Sequence, residues 1–332
     1  MNWKMTLGLC LATAAASVPA QAQQATPKYS SLTVFGDSLV DAGNIRALGL
    51  GADPKQGYFA GRFTNGYDYT DLLSIDLFGV PTRASSLGGT NFAYGGARAT
   101  TTSLAPDLTE QLGAFDLYLA NGGKVDANGL YVLNFGGNDV FAAIQDGAPA
   151  GYGSDSEFLK AAATTYADGV ATLDKLGARH ILITGFPVAT AQGLAASLEA
   201  EAYLDAALGG LNLASDTKLF EFSYLDFFGR LQADPSAFGL PEPLILPDPT
   251  RADGGTCQGA AAFPACAGYF SFDGIHPTAA VQQALYNDLN RQFALAGPVP
   301  EPATWAMMIL GFALIGGAVR GARRPTVRVA FG

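Results

Sequence analysis

Between residues 27 and 298, short apolar runs alternate with longer stretches of helical periodicity, and this alternation restricts the fold more than any other feature. Short runs bounded by Gly, Asp or Pro predict strands at 31–35, 91–94, 130–135, 180–184 and 219–223. Helical spacing predicts helices at 67–77, 108–119, 157–176, 192–208 and 278–295. Because several strands are apolar nearly throughout, their sheet is expected to be covered on both faces. We therefore expect an α/β fold, a three-layer αβα sandwich around a mostly parallel five-stranded sheet.

Composition and charge narrow the functional classes. The chain has 19 Lys and Arg against 29 Asp and Glu, a formal net charge of −10, so a nucleic-acid partner is not expected. An apolar content of 49% excludes a disordered chain. His180 and His276 are the two histidines, and three cysteines accompany them, so a metal site built from His and Cys ligands, such as a zinc site, is not expected.

The first predicted strand leads directly into Gly36-Asp37-Ser38-Leu39. A serine at the point where a strand turns into a helix exposes its hydroxyl, and backbone N–H groups at the helix start can stabilise an oxyanion. Ser38 is therefore a candidate nucleophile. The Gly-x-Ser-x-Gly elbow is not met, because Val40 stands at its last position. The alternative interpretation is that Ser38 caps a helix.

A second candidate cluster lies far downstream, in Asp273-Gly274-Ile275-His276-Pro277. An Asp three residues before a His can accept a hydrogen bond from the imidazole Nδ1–H, which leaves Nε2 free to take a proton from a serine. The pattern thus predicts that Asp273 orients His276 as a general base. A capping Asp273 and a surface His276 form the alternative.

Two more short blocks stand at predicted strand ends, Asn91-Phe92-Ala93-Tyr94-Gly95-Gly96-Ala97 and Gly136-Gly137-Asn138-Asp139. Taken in order, the four blocks resemble the GDSL, or SGNH, family of serine hydrolases, and most closely its lipase-like branch. The resemblance covers 31–295 and implies a flavodoxin-like SGNH fold, a Ser38–His276–Asp273 catalytic triad, carboxylic ester substrates and no cofactor.

The same resemblance implies an oxyanion hole. Its donors are the backbone N–H groups of Ser38 and Gly96 and the side-chain amide of Asn138, with Gly95 as the less favoured match to the family's glycine. Preorganised donors of this kind stabilise the charge that develops on an ester carbonyl under attack. Taken alone, Asn138 has the alternative role of stabilising a turn after a strand.

Other polar and aromatic residues are assigned structural roles. His180 lies in an apolar run and is predicted at the entry of a strand. Asp37 and Asp41 are expected to bond to backbone at the nucleophile turn, and Asp139 to cap the following helix. The aromatic run 224–228 favours core packing, with the lining of an acyl pocket as the alternative.

The amino-terminal residues 1–22 are predicted to be a secretory signal peptide. Lys4 gives a positive n-region, an apolar stretch follows, and Ala20-Gln21-Ala22 has the form of a cleavage site. An uncleaved anchor is the alternative. Export permits a disulfide between Cys257 and Cys266, which lie in a Pro-, Gly- and Ala-rich loop at 234–271 expected beside the site.

The carboxyl-terminal segment 299–328 has the features of a second targeting signal. Pro300-Glu301-Pro302 precedes 17 uncharged residues at 303–319, and an arginine cluster follows. This order resembles the PEP-CTERM sorting tail of Gram-negative bacteria that make exopolysaccharide. It implies transient membrane insertion through the apolar helix and processing by an exosortase, with the hydrolase domain at 27–298 outside the membrane. An ordinary tail anchor is the alternative.

The sequence therefore predicts an exported serine esterase or lipase at the cell surface or in the extracellular matrix. A carbohydrate O-acyl esterase that acts on exopolysaccharide is an alternative within the same enzyme class. A non-catalytic surface protein that retains the scaffold is an alternative from another class, although a pure scaffold has no need of all five candidate residues.

Overall fold

The computed structural model describes residues 28–100, 103–187, 191–259 and 266–297. The predicted signal peptide at 1–22 and the predicted sorting segment at 299–328 lie outside these ranges. Within them, strands and helices alternate along the chain as the periodicity predicts.

Four parallel strands form the central sheet: β1 (Leu32–Gly36), β2 (Leu130–Asn134), β3 (His180–Thr184) and β4 (Lys218–Phe222), in the order β1-β2-β3-β4. Their registers pair Val34 with Val132 and Leu182 with Phe220. β1 and β2 are buried along their whole length, as expected for apolar strands covered on both faces.

Eight α-helices surround the sheet: α1 (Asn44–Ala47), α2 (Tyr69–Phe78), α3 (Leu108–Ala120), α4 (Gly137–Gln145), α5 (Asp155–Leu176), α6 (Ala191–Gly209), α7 (Tyr224–Ala233) and α8 (Ala279–Phe293), as counted within the described ranges. Residues of α3 to α6 pack in one apolar cluster and residues of α2, α7 and α8 in another. Successive strand side chains alternate between the two clusters, so Tyr131 joins the first and Val132 the second. Helices thus flank both faces of the sheet.

The prediction of a fifth strand at 91–94 is wrong. This segment runs parallel to β1, and the Phe92 and Tyr94 N–H groups donate to the carbonyls of Val34 and Gly36 at 2.7 and 3.0 Å. It forms only isolated bridges, from Asn91 to Val34 and to Ala84, in the part of the chain that the structure describes. The pairing ends because Gly95 turns its N–H to the Asp41 carboxylate, 2.9 Å away. The sheet therefore has four strands.

The five predicted helices correspond to α2, α3, α5, α6 and α8 with small differences at their ends. Polar side chains account for several starts, since Asp68, Ser154 and Thr278 accept hydrogen bonds from N–H groups in the first turns of α2, α5 and α8. Helices α1 and α4 were expected only as the helices after Ser38 and at Asp139, without bounds, and α7 was not predicted. None of the described helices combines the length and the apolar character needed to cross a membrane, and the apolar segment 303–319 lies outside the described ranges.

Candidate active site

A cavity of about 230 Å³ opens where β1 and β2 end and the loops after them begin. All four sequence blocks contribute to it. Its lining is mostly apolar and consists of Asp37, Ser38, Leu39, Phe63, Gly96, Gly137, Asn138, Phe141, Pro187, Phe228, Phe270, Ile275, His276 and Pro277. The carboxyl edge of a parallel sheet is where α/β proteins place their ligands.

Ser38, His276 and Asp273 form a continuous chain of hydrogen bonds at this cavity. His276 Nε2 lies 2.7 Å from Ser38 Oγ, although 238 residues separate the two in sequence. His276 Nδ1 lies 2.7 Å from Asp273 Oδ2. An ionised carboxylate can only accept, so Nδ1 carries the proton of the neutral ring and Nε2 accepts from the serine hydroxyl.

The Asp273 carboxylate is nearly buried and has four hydrogen-bond donors. Backbone N–H groups of Ile275 and His276 donate to Oδ1 at 3.0 and 2.8 Å. The Tyr58 hydroxyl, which the sequence analysis missed, donates to Oδ2 at 2.7 Å. Burial acts to raise the pKa of Asp273, but the His276 ring and these hydrogen bonds outweigh it and bring the pKa down to about 2. Asp273 is therefore ionised at neutral pH.

The turn that presents Ser38 depends on close packing beneath it. A Cβ atom at Gly36 would stand 2.5 Å from the Val40 side chain and 2.7 Å from the Asn134 carbonyl oxygen, so only glycine fits there. Asp37 Oδ1 accepts the Leu39 N–H at 2.9 Å and the Asn134 amide at 3.2 Å. Burial raises the pKa of Asp37 to about 7. The predicted backbone role of Asp37 is thus observed.

Asp41 and Asn44 join the first sequence block to the second. Asp41 accepts the N–H groups of Gly43 and Asn44 at 2.8 and 2.6 Å, and that of Gly95 at 2.9 Å. The Asn44 amide donates to the carbonyls of Asn91 and Ala93 at 2.8 and 2.9 Å. These bonds fix the loop that carries Gly96 against the nucleophile turn.

The predicted oxyanion donors lie at the same cavity. Gly96 has a φ of +86°, a conformation that favours glycine. The N–H groups of Ser38 and Gly96 have no acceptor among the described residues, whereas the Gly95 N–H is bound by Asp41. Asn138 Nδ2 donates one hydrogen bond to the Ala97 carbonyl at 2.8 Å, which leaves its second N–H without an acceptor in the described ranges.

Asp139 differs from its predicted role as a helix cap. Gly136 is the N-cap residue of α4, and Asp139 lies in the first turn of the helix. Its carboxylate instead accepts the Ala99 N–H at 2.8 Å and the Thr100 hydroxyl at 2.9 Å. Burial raises its pKa to about 6, against the opposing effect of those hydrogen bonds. The residue therefore anchors the loop after Gly96 to α4.

The aromatic run 224–228 has both of the roles considered for it. Phe228 lines the cavity, while Phe227 is fully buried and Tyr224 donates to Asn134 Oδ1 at 2.7 Å within the core. The long loop also reaches the cavity, through Phe270.

Two other sequence predictions concern positions outside the cavity. Cys257 and Cys266 form a disulfide with Cα atoms 5.8 Å apart. His180 stands at the start of β3, at the other end of the sheet, where its ring packs edge-on against Tyr29 at 5.2 Å. No group of His, Cys, Asp and Glu suited to a metal ion occurs in the part of the chain described.

Two protein-family models match stretches of this chain. The model of the GDSL-like lipase/acylhydrolase family matches residues 32–289, which include all four sequence blocks. The chain belongs to this family. A second model, the PEP-CTERM protein-sorting motif, matches residues 298–324, where the sequence resembles that tail.

Two curated proteins and one solved structure are similar to parts of this chain. Lipase 1 of Photorhabdus luminescens is 38% identical over 37% of this chain and 17% of its own length. A GDSL esterase/lipase of Arabidopsis thaliana is 29% identical over 55% of this chain and 61% of its own length. The chain thus spans less than two thirds of the length of each of these two relatives. Among solved structures, an α/β hydrolase enzyme, LAE5, from the metagenome of Lake Arreo has a TM-score of 0.44 at 13% identity, over 81% of this chain and 96% of its own.

Proposed function

We propose that this protein is a serine esterase or lipase that hydrolyses carboxylic esters through an acyl-enzyme. The observation that carries the proposal is the pair of 2.7 Å contacts that join Ser38 Oγ to His276 Nε2 and His276 Nδ1 to Asp273 Oδ2. A nucleophile within hydrogen-bond reach of a base, which a third group orients, is the arrangement that activates a serine.

In the first half of the reaction, Ser38 Oγ attacks the ester carbonyl carbon as His276 Nε2 takes the hydroxyl proton. The ring becomes an imidazolium, which the ionised Asp273 stabilises across the Nδ1 contact. His276 then gives the proton to the leaving alcohol oxygen, and the bond between that oxygen and the carbonyl carbon breaks. In the second half, water attacks the acyl carbon as His276 takes its proton, the bond between that carbon and Ser38 Oγ breaks, and His276 returns the proton to Oγ as the acid is released.

The tetrahedral oxyanion is held by the Ser38 N–H, the Gly96 N–H and the second N–H of Asn138. Three observations support this assignment: each of the three groups lies at the cavity, each has a donor without an acceptor among the described residues, and Gly95 has its N–H engaged elsewhere. Fixed donors need no reorganisation as the charge develops, which is why such groups are effective.

The cavity walls favour an apolar acyl group. Phe63, Phe141, Phe228, Phe270 and Ile275 surround Ser38, and burying apolar surface contributes about 25 cal/mol per Å². A carbohydrate ester of such an acid is the alternative substrate, which the sorting motif at 298–324 favours because exosortase substrates go to the surface.

The test is hydrolysis of short p-nitrophenyl esters by the purified protein. Ser38→Ala and His276→Ala should each lower kcat by about 10³-fold or more, because each removes a member of a unit that acts together. His180→Ala is the matched control and should keep wild-type turnover, since His180 lies at the opposite end of the sheet. Equal turnover by wild type and Ser38→Ala would contradict the proposed mechanism.

The same protein is proposed to act outside the cell. Removal of 1–22 and processing within 299–328 by an exosortase would leave the hydrolase domain at 27–298 on the surface, and the sorting-motif match supports this. Intact-mass analysis of the surface-associated protein tests it. A mass that ends near Pro300-Glu301-Pro302 is expected, and a full-length mass would contradict exosortase processing.

A further inference from the structure

Tyr58 lies outside all four sequence blocks and still contacts the candidate triad. It follows a short 3-10 helix at Pro54–Gln56 and is separated from Asp273 by 215 residues. Its hydroxyl donates to Asp273 Oδ2 at 2.7 Å, and the same oxygen lies 2.7 Å from His276 Nδ1. One carboxylate oxygen thus serves both the tyrosine and the imidazole.

The other bonds of that carboxylate are local. Asp273 Oδ1 accepts the backbone N–H groups of Ile275 and His276, which belong to the same turn. Within the described ranges, Tyr58 is the only donor to Asp273 from outside residues 273–276. A carboxylate has about four lone-pair sites, so these four bonds fill it. Tyr58 therefore fixes the turn to a distant part of the chain.

The Tyr58 ring is held independently of its hydroxyl. It packs edge-on against Phe272 at 5.0 Å and Phe63 at 5.9 Å, and Phe63 lies against the His276 ring at 5.0 Å. These contacts need no oxygen atom. A Tyr58→Phe substitution therefore removes the hydrogen bond and keeps the packing.

We propose that Tyr58 is a positioning residue that tunes the basicity of His276 through Asp273. Its hydroxyl draws electron density from Oδ2, which weakens the pull of the carboxylate on the imidazolium and keeps the ring neutral to lower pH. The role in turnover rests on the proposed function, whereas the effect on the ring exists with or without substrate.

Few other charged or titratable groups face the imidazole. Ser38 lies at Nε2, Asp273 lies at Nδ1, and Asp37 is the other acidic residue that lines the cavity, at the end of β1. The Tyr58→Phe substitution removes one hydrogen bond to Asp273 and leaves Ser38 and Asp37 unchanged. A change in the titration of His276 is therefore attributable to the lost hydroxyl.

The direct experiment is an NMR pH titration of the two histidine rings in the full chain. The His276 signal should titrate at a pH about half a unit to one unit higher in Tyr58→Phe than in the wild type. The titration of the His180 signal should not shift. An unchanged His180 signal shows that the variant is folded. Tyr58→Leu, which lacks the ring as well, should shift His276 in the same direction.

Tyr67→Phe is the matched control. Tyr67 also packs edge-on against a phenylalanine, Phe59 at 5.0 Å, and its hydroxyl makes no side-chain hydrogen bond in the described part of the chain. It should leave the His276 titration unchanged. An unshifted His276 in folded Tyr58→Phe, or an equal shift in Tyr67→Phe, overturns the proposal.

Kinetics give the second readout. With p-nitrophenyl esters, Tyr58→Phe should move the acid limb of kcat/KM to higher pH and lower kcat about 10-fold with little change in KM. A purely structural role would lower activity without moving the limb. If the wild type hydrolyses no ester, the proposed function fails while the NMR result still decides the role of Tyr58.

Discussion

Asn138 shows how one side chain can combine a structural and a chemical role. One of its amide hydrogens is bonded to the Ala97 carbonyl at 2.8 Å, which fixes the orientation of the amide. The second hydrogen is then fixed in direction without any further contact. A donor held in this way is the kind that lowers the energy of a developing oxyanion.

We expect Asn138→Ala to lower kcat by about 10²–10³-fold with a much smaller effect on KM, because the donor acts on the transition state. Steady-state kinetics with p-nitrophenyl esters measure the split. Asn121→Ala is the matched control, since the Asn121 amide donates to a backbone carbonyl, that of Leu117, at the same 2.8 Å but at the exposed end of α3. A rise in KM at unchanged kcat would contradict the assignment.

The sequence alone indicated most of the residues that meet at this cavity and missed Tyr58, which contacts Asp273. Ser38, Asp273 and His276 stand in short motifs at strand or helix ends, where the pattern itself indicates the chemistry. Tyr58 stands in no such motif, and a long-range contact from an irregular loop leaves no periodic signal. The aromatic run at 58–63 is the only hint of its position in the printed sequence.

At the scale of elements, an ion pair anchors the segment that carries Tyr58 and Phe63. Arg62 binds Asp71 of α2 with two contacts of 2.9 Å, and both side chains are nearly or fully buried. Asp71 also accepts the Thr82 N–H at 3.0 Å. The pair thus joins segment 57–63 to α2 and to the chain that follows it.

Arg62→Ala should therefore cost about 3–5 kcal/mol in the free energy of unfolding, because it leaves the Asp71 carboxylate buried without its partner. Arg251→Ala is the matched control: Arg251 binds Asp253 with the same two-contact geometry, at 2.9 and 3.0 Å, but both side chains are exposed. That variant should cost less than about 1 kcal/mol. Urea unfolding measures both, and equal losses would contradict the role of burial.

Helices and strands could be predicted where the periodic pattern is long, and their prediction failed where the pattern is short. Helices α5 and α6 have 22 and 19 residues and were found from their spacing. Helix α4 has nine residues and begins inside the block Gly136-Gly137-Asn138-Asp139, so its bounds left no periodic signal. Segment 91–94 has strand-like residues, but Asn91 donates its side chain to the Val40 carbonyl at 2.7 Å and the chain then turns at Gly95. Side-chain bonds of this kind are invisible to a period-two pattern.

At the scale of the whole molecule, burial raises the pKa of several carboxyl groups: Asp37, Asp68 and Asp139 are fully buried and Glu201 is half-buried. Burial raises the pKa of Asp37 and Glu201 to about 7, of Asp68 to about 8 and of Asp139 to about 6. Their ordinary values are 3.8 for Asp and 4.5 for Glu, so the folded protein holds these protons to higher pH than the unfolded chain does. Stability from this source is therefore lost as the pH rises from about 4 to about 8.

Asp273 acts in the opposite sense at lower pH. Its pKa of about 2 in the folded protein means that its contribution is lost as the pH falls below about 4. The two effects together place the stability maximum near pH 4. The net charge of −10 adds repulsion at higher pH, and salt screens that repulsion. Salt has little effect on the loss of stability that comes from the buried carboxyl groups.

We thus expect the free energy of unfolding, measured with urea, to be at least about 3 kcal/mol larger at pH 5 than at pH 8, and to remain larger in 0.5 M salt. Asp37→Asn keeps an oxygen that can accept from the Leu39 N–H and the Asn134 amide but cannot ionise. It should therefore shrink the difference between pH 5 and pH 8 by about 1–2 kcal/mol. A difference that disappears in salt would assign the pH dependence to surface charge, and greater stability at pH 8 would contradict the buried carboxyls as its cause.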